Sequence, residues 1–305
     1  MSTEAPAPLG VVGHYTLLER LEPAGPGELF RARDTRLGRT VAVRVMPPEF
    51  TRDAGARASL MESVRSLAEL SHPNMTTIFD VGEQDGRLYL VFEFLRGQSL
   101  RAEMAGRPMN VRRAIELAIQ ISDAVADAHA SGFVHGGLSP DSIAITSRGH
   151  AKIPTFELAA RSGFDANGAE GRLQDYDSPE EAHGQQADER SDIYTVGAVL
   201  YEMLTTRRPL HRGAAAPSAA NRNVPSEVDE IVLKAIAPSA ALRFQSAATL
   251  AAELRSAAAI LDVRGGAGDE GGQQETHAPT LGRVLLLAAV TLLALAVLGW
   301  LIVAR

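Results

Sequence analysis

Apolar and polar positions alternate in two stretches near the start of the chain, which predicts strands. Tyr15–Leu21 and Glu28–Ala32 follow a two-residue period, separated by the turn-rich stretch Glu22-Pro23-Ala24-Gly25-Pro26-Gly27. Thr76–Val81 and Arg87–Phe94 predict two more, joined at Gln84-Asp85-Gly86, where Asp-Gly favours a tight hairpin turn. One helix interrupts the strands. Within Arg57–Leu70, Leu60, Val64, Leu67 and Leu70 recur at helical spacing, and Ser71-His72-Pro73-Asn74 ends the pattern.

Beyond Phe94 the helical period takes over. In Val111–Ser131 the residues Ile115, Ala118, Ile119, Ser122, Val125, Ala126 and His129 share one face, and Gly132 stops the helix. His129 reads as a packing residue at the helix end. A last helix is expected to finish near Leu261. Asp262–Gly282 is rich in Gly and Gln with acidic residues, the composition of a flexible linker. Val284–Ala304 is then an unbroken apolar run between Arg283 and Arg305. As a helix it would be roughly 31 Å long, enough to cross a bilayer, and its symmetric flanks set no orientation. Met1–Gly13 lacks the basic-then-apolar pattern of a signal peptide and reads as a disordered tail. The expected organisation is therefore a tail over 1–13, a globular domain over 14–261, a linker over 262–282 and a transmembrane helix over 283–305.

Composition narrows the function. A formal charge of −7 and a pI near 5.7 argue against a general nucleic-acid binder. With no cysteine, disulfides and thiolate-held metals are excluded. The basic residues are nearly all Arg; lysine occurs only at Lys152 and Lys234.

The chemistry turns on Val134-His135-Gly136-Gly137-Leu138-Ser139-Pro140-Asp141-Ser142-Ile143. It resembles the catalytic loop of protein kinases, V-H-R-D-L-K-P-x-N-I. Other stretches carry the same resemblance in order. Thr40–Val45 resembles V-A-I-K-V with Arg44 for the lysine. Leu70–Asn74 resembles L-x-H-P-N, and Arg96-Gly97-Gln98-Ser99-Leu100 resembles the segment after the hinge. Ala151–Ala159 resembles V-K-I-x-D-F-G-L-A, with Thr155 for the aspartate and Glu157 for the glycine. Tyr176-Asp177-Ser178-Pro179-Glu180, Ser191–Leu204 and Pro238–Phe244 match the family closely. The similarity covers roughly residues 15–260 and is strongest to bacterial membrane-anchored Ser/Thr protein kinases.

The resemblance implies an α+β fold of two lobes, a small mainly-β N-lobe and a large mainly-α C-lobe, followed by the transmembrane helix. It also implies roles. Leu67, Ile78, His135 and Phe156 would stack between the lobes, anchored by Asp192, and Glu180 would pair with Arg243. Leu29, Ala42 and Ala144 would enclose adenine, with Phe92 as gatekeeper. Gly25 and Gly27 would lie over the phosphates beside Arg44. The working positions depart from the pattern. Gly137 stands for the catalytic base, Ser139 for a lysine, and Ser142 and Thr155 for the two metal ligands. Glu62 falls one residue from the position that should pair with the lysine, which is Ser63.

The expectation is a membrane-anchored pseudokinase without catalytic residues, a scaffold or allosteric regulator docking a protein partner such as an active kinase. It would sit in the cytoplasmic membrane with its kinase-like domain in the cytoplasm. No metal or cofactor is expected; any ATP binding would be weak and metal-independent. The alternative is a divergent Ser/Thr kinase that binds ATP and phosphorylates proteins, with Asp141 or Glu157 holding the metal.

Overall fold

The structure, a computed structural model, describes residues 8–21, 27–48, 54–155, 176–211 and 213–270. The strands of the first lobe are β1 (Gly10–Val12), β2 (Tyr15–Leu21), β3 (Glu28–Asp34), β4 (Thr40–Val45), β5 (Ile78–Gln84) and β6 (Arg87–Glu93). They form one antiparallel sheet in the order β1-β2-β3-β4-β6-β5. Alternate residues face inward: Val41, Val43 and Val45 on β4 meet Tyr15, Leu17, Ala32, Tyr89 and Val91 in one buried cluster. At the hairpin between β5 and β6, Asp85 and Gly86 have φ of 53° and 73°, the left-handed pair that the Asp-Gly signal requires. Side chains bring the sheet's two edges together. Gly13 N donates to Gln84 Oε1 at 2.6 Å, Gln84 Nε2 to Val11 O at 3.3 Å, and Tyr15 Oη to Asp80 Oδ2 at 2.9 Å. Helix α1 (Ala54–Ala68) buries Leu60, Val64 and Leu67 beneath the sheet.

The second lobe contains α2 (Leu100–Met104), α3 (Val111–Ala130), α4 (Pro179–Ala182), α5 (Glu189–Thr205), α6 (Ser226–Ala235) and α7 (Ala247–Glu270). A small sheet of β7 (Gly97–Ser99), β8 (Ala144–Thr146) and β9 (Ala151–Lys152) lies beside them. Helix α5 is the centre of this lobe, buried on every side from Ser191 to Thr205. Gly197 lets α6 approach it: a Cβ there would stand 2.7 Å from the Ala235 Cβ. Helix starts are sealed by side chains. Asn110 caps α3, and Ser178 with Glu181 and Asp188 with Ser191 form capping boxes on α4 and α5.

The structure differs from the sequence reading at both ends. Gly10–Val12, expected in a disordered tail, is a strand, because its Gly-Val-Val backbone extends β2's free edge. Residues 262–270, expected in the linker, continue α7 to Glu270. Gly265, Gly266 and Gly268 disfavour helix there, but no proline stops it. The chain divides into two compact units, Met1–Ala259 and Ile260–Arg305. The apolar run Val284–Ala304 lies outside the described residues. Among the described residues, no helix is long and apolar enough to cross a membrane.

Candidate functional site

The loop that joins α3 to β8 is held from below by one buried carboxylate. Asp192, on the first turn of α5, accepts from His135 N at 2.7 Å and Gly136 N at 2.6 Å, and its Oδ2 lies 2.7 Å from His129 Nε2. Asp192 and His135 are fully buried. His135 Nε2 meets the Pro154 carbonyl at 3.2 Å; a carbonyl only accepts, so Nε2 carries the proton. Gly136 has φ of 60°, which suits glycine. His129, read from the sequence as a packing residue, is instead a partner of Asp192. Its place at the end of an amphipathic face gave no sign of this.

Further along the loop, the two serines satisfy each other. Ser139 N donates to Ser142 Oγ at 3.1 Å, Ser142 N to Ser139 Oγ at 3.3 Å, and Ser142 Oγ to Ser139 O at 3.2 Å. Asp141 turns away from them towards Arg101 on α2, with contacts of 3.3–3.4 Å. The same guanidinium donates to Glu202 Oε1 at 2.6 Å and to the Tyr176 phenol, which also donates to Glu202. Burial and the Glu202 carboxylate push the Tyr176 phenol up to about 12. Nothing in the sequence reading pointed to this Arg101 cluster.

Opposite the loop, residues 151–155 are zipped to the segment that follows α1. Met75 and Ile153 form a parallel bridge; Ile153 N donates to Asn74 O at 2.8 Å and Thr76 N to Ile153 O at 3.0 Å. Asn74 Nδ2 donates to Ala151 O at 2.7 Å, and Lys152 Nζ reaches both Met75 O at 3.2 Å and Glu93 Oε2 at 2.6 Å. Thr155 is 1% exposed. Its N–H donates to Thr76 Oγ1 at 2.9 Å, its hydroxyl donates to Thr76 O, and the two hydroxyl oxygens are 3.0 Å apart.

On the first lobe's side, Arg44 is buried in β4, opposite Leu29 on β3 and Leu90 on β6. Ala42 faces Phe92 across the same ladder, and both are buried. Ala144 opens β8 and is half-buried. Gly27 has φ of 90°, and a Cβ there would stand 2.4 Å from Val45 O. Gly25, Phe156 and Glu157 lie outside the described residues. Glu62 is exposed on α1, in line with its offset from Ser63. Leu67 on α1 and Ile78 on β5 are both buried.

The second lobe's ion pair is bidentate. Arg243 Nη1 and Nη2 donate to Glu180 Oε1 and Oε2 at 2.6 and 2.8 Å. The other donors of Arg243 reach the Ala237, Arg190 and Pro238 carbonyls, so all five are used. Burial would raise the Glu180 carboxyl, but the Arg243 hydrogen bonds outweigh it and hold the group down at about 2.

A protein kinase domain matches residues 18–249. The chain belongs to the protein kinase family. Among curated proteins, this kinase-family chain is 34% identical to the probable serine/threonine-protein kinase SCO3848 of Streptomyces coelicolor, over 80% of its own length and 39% of that protein's. It is 31% identical to the serine/threonine-protein kinase PrkC of Bacillus subtilis, covering 81% and 41% of the two chains. For the serine/threonine-protein kinase PknB of Mycobacterium tuberculosis the identity is 33%, covering 79% and 42%. The chain thus spans about two fifths of these relatives' lengths. Its fold is that of the Mycobacterium tuberculosis PknI kinase domain, with a TM-score of 0.67 at 21% identity over 83% of this chain and 99% of that one. The two lobes are the β-rich N-lobe and helical C-lobe of the kinase fold.

Proposed function

We propose that this kinase-family chain is a pseudokinase: a signalling scaffold or allosteric regulator that docks a protein partner and transfers no phosphate. The observation that carries this reading is Thr155. Where the family resemblance puts a metal-binding carboxylate, this chain has a buried neutral hydroxyl already committed to Thr76. Magnesium on a nucleotide needs anionic oxygens at fixed places. Ser142 offers only a hydroxyl bonded to Ser139, and Gly137 offers no side chain to act as base. Asp141, one of the two carboxylates that could hold a displaced metal, is engaged by Arg101, and the other, Glu157, lies outside the described residues. This donor set does not fit a magnesium nucleotide. Arg44 carries charge for an anion but lacks the compact ammonium the pattern calls for.

The second reading is a divergent Ser/Thr protein kinase that binds ATP and phosphorylates proteins. The relatives favour it, since those compared bear the name of serine/threonine-protein kinase, and their names fit it better than the first reading. Thermal melting of the full chain with ATP, with and without Mg²⁺, separates the two. No shift, or a small shift indifferent to metal, is expected of the pseudokinase. A stabilisation that requires Mg²⁺ supports the kinase.

Membrane attachment through Val284–Ala304, with the kinase domain on the cytoplasmic side, belongs to the same proposal. It rests on the length and uniform apolarity of that run. Deleting residues 283–305 should release the protein from the membrane fraction while leaving its melting transition in place. Persistent membrane association would reject the anchor.

A further inference from the structure

We infer that Thr76 and Thr155 form a hydrogen-bonded ring that latches the two lobes together without nucleotide. This inference deepens the pseudokinase reading and rests on it. The proton positions follow from the partners. Thr155 Oγ1 donates to the Thr76 carbonyl, which only accepts, so its single hydroxyl proton is spent. The hydroxyl–hydroxyl contact of 3.0 Å is therefore made by the Thr76 proton pointing at Thr155 Oγ1. The Thr155 N–H closes the circuit on Thr76 Oγ1 at 2.9 Å. Each hydroxyl donates once and accepts at least once, and neither residue is more than 9% exposed. Buried rings of this kind strengthen one another and hold a single geometry.

The ring joins elements from different lobes. Thr76 lies between α1 and β5, and Thr155 follows the small sheet of the second lobe. The Met75–Ile153 bridge and the Lys152 bonds to Met75 O and Glu93 run alongside it. A carboxylate at position 155 has no proton to donate, and its oxygen would face the Thr76 carbonyl oxygen. The residue type that family resemblance expects there is thus the one that would open the ring. Threonine trades a metal ligand for a latch, and lobe closure no longer depends on a bound magnesium nucleotide.

The absence of native cysteine makes the test direct. Spin labels at Leu37→Cys and Leu242→Cys, both well exposed and one in each lobe, report the interlobe distance in the full chain in detergent. The wild type is expected to give one narrow distance distribution that ATP and Mg²⁺ leave unchanged. Thr155→Val and Thr155→Asp should each broaden it at least twofold, and Thr155→Ser, which restores the hydroxyl, should return it to near wild-type width. A broad wild-type distribution, whether or not nucleotide is present, overturns the latch but leaves the pseudokinase reading standing. Narrowing driven by Mg²⁺ and ATP overturns both. Folded Thr155→Val with wild-type width shows that the ring does not hold the lobes. If Thr155→Val does not fold, Thr76→Val reports the same loss from the other side, and the wild-type nucleotide response still decides.

Discussion

Two polar centres among the described residues have gone different ways. In the C-lobe, Glu180 and Arg243 remain fully charged, with every guanidinium donor used. Between the lobes Thr155 and Thr76, and in the loop after α3 Ser139 and Ser142, are neutral hydroxyls bonded to one another. Both centres are satisfied, but by opposite means. A buried charge is tolerated only with a good partner, and removing one partner strands the other. Removing one partner of the C-lobe pair alone should therefore destabilise that lobe. The neutral hydroxyls need no counter-charge, because each finds its hydrogen-bond partner in the neighbouring residue. The contrast separates residues that hold the architecture from residues that would serve a reaction.

The largest effect should come from breaking the charged centre. Glu180→Ala is expected to destabilise the C-lobe by about 3–5 kcal/mol, because Arg243 is left buried and unpaired. Denaturant melts of the full chain measure this. A loss no larger than that of an exposed glutamate would show that the pair is not structural. Next, Asp192→Asn keeps the shape but has only one acceptor oxygen, so its NH2 turns a donor towards the N–H of His135 or Gly136; the loss should be about 1.5–3 kcal/mol, as for a hydrogen bond to a charged group.

Acid should weaken the Glu180–Arg243 centre. The Glu180 carboxyl is held at about 2, below its ordinary value of 4.5. Its folded pKa is depressed, so its contribution is complete above about 4.5 and is lost as pH falls towards 2. Wild-type stability should fall through that window, and Glu180→Gln should lose less over it. The smallest effect is the control. Arg255 and Asp123 pair on the surface, and Asp123→Ala should change stability by under about 1 kcal/mol. A loss rivalling that of Glu180→Ala would erase the distinction between the two kinds of charge.

The fold was largely legible because its signals are local. Alternation placed β2 and β3, the family resemblance placed β4, Asp85-Gly86 marked the hairpin between β5 and β6, and the apolar face of α3 set its span. The edge strand β1 was not legible, since three residues carry little pattern and gain their place only by pairing with β2. At the site, the residue identities were readable but their partners were not. Ser139 and Ser142 sit close in sequence, yet serines at that spacing are common and signal nothing. Thr76 and Thr155 are joined only by the fold. His129 and Asp192 likewise meet through the packing of α3 on α5. Gly25 and Phe156, which complete the expected phosphate loop and interlobe stack, lie outside the described residues.

The central claim is that the interlobe site cannot transfer phosphate, and incorporation of labelled phosphate tests it most directly. The full chain is incubated with γ-labelled ATP and Mg²⁺ or Mn²⁺, alone and with a generic protein substrate, beside an Asp141→Ala variant. The account predicts no incorporation above background in either protein. Incorporation by the wild type that disappears in Asp141→Ala would contradict it and make the chain a divergent Ser/Thr kinase.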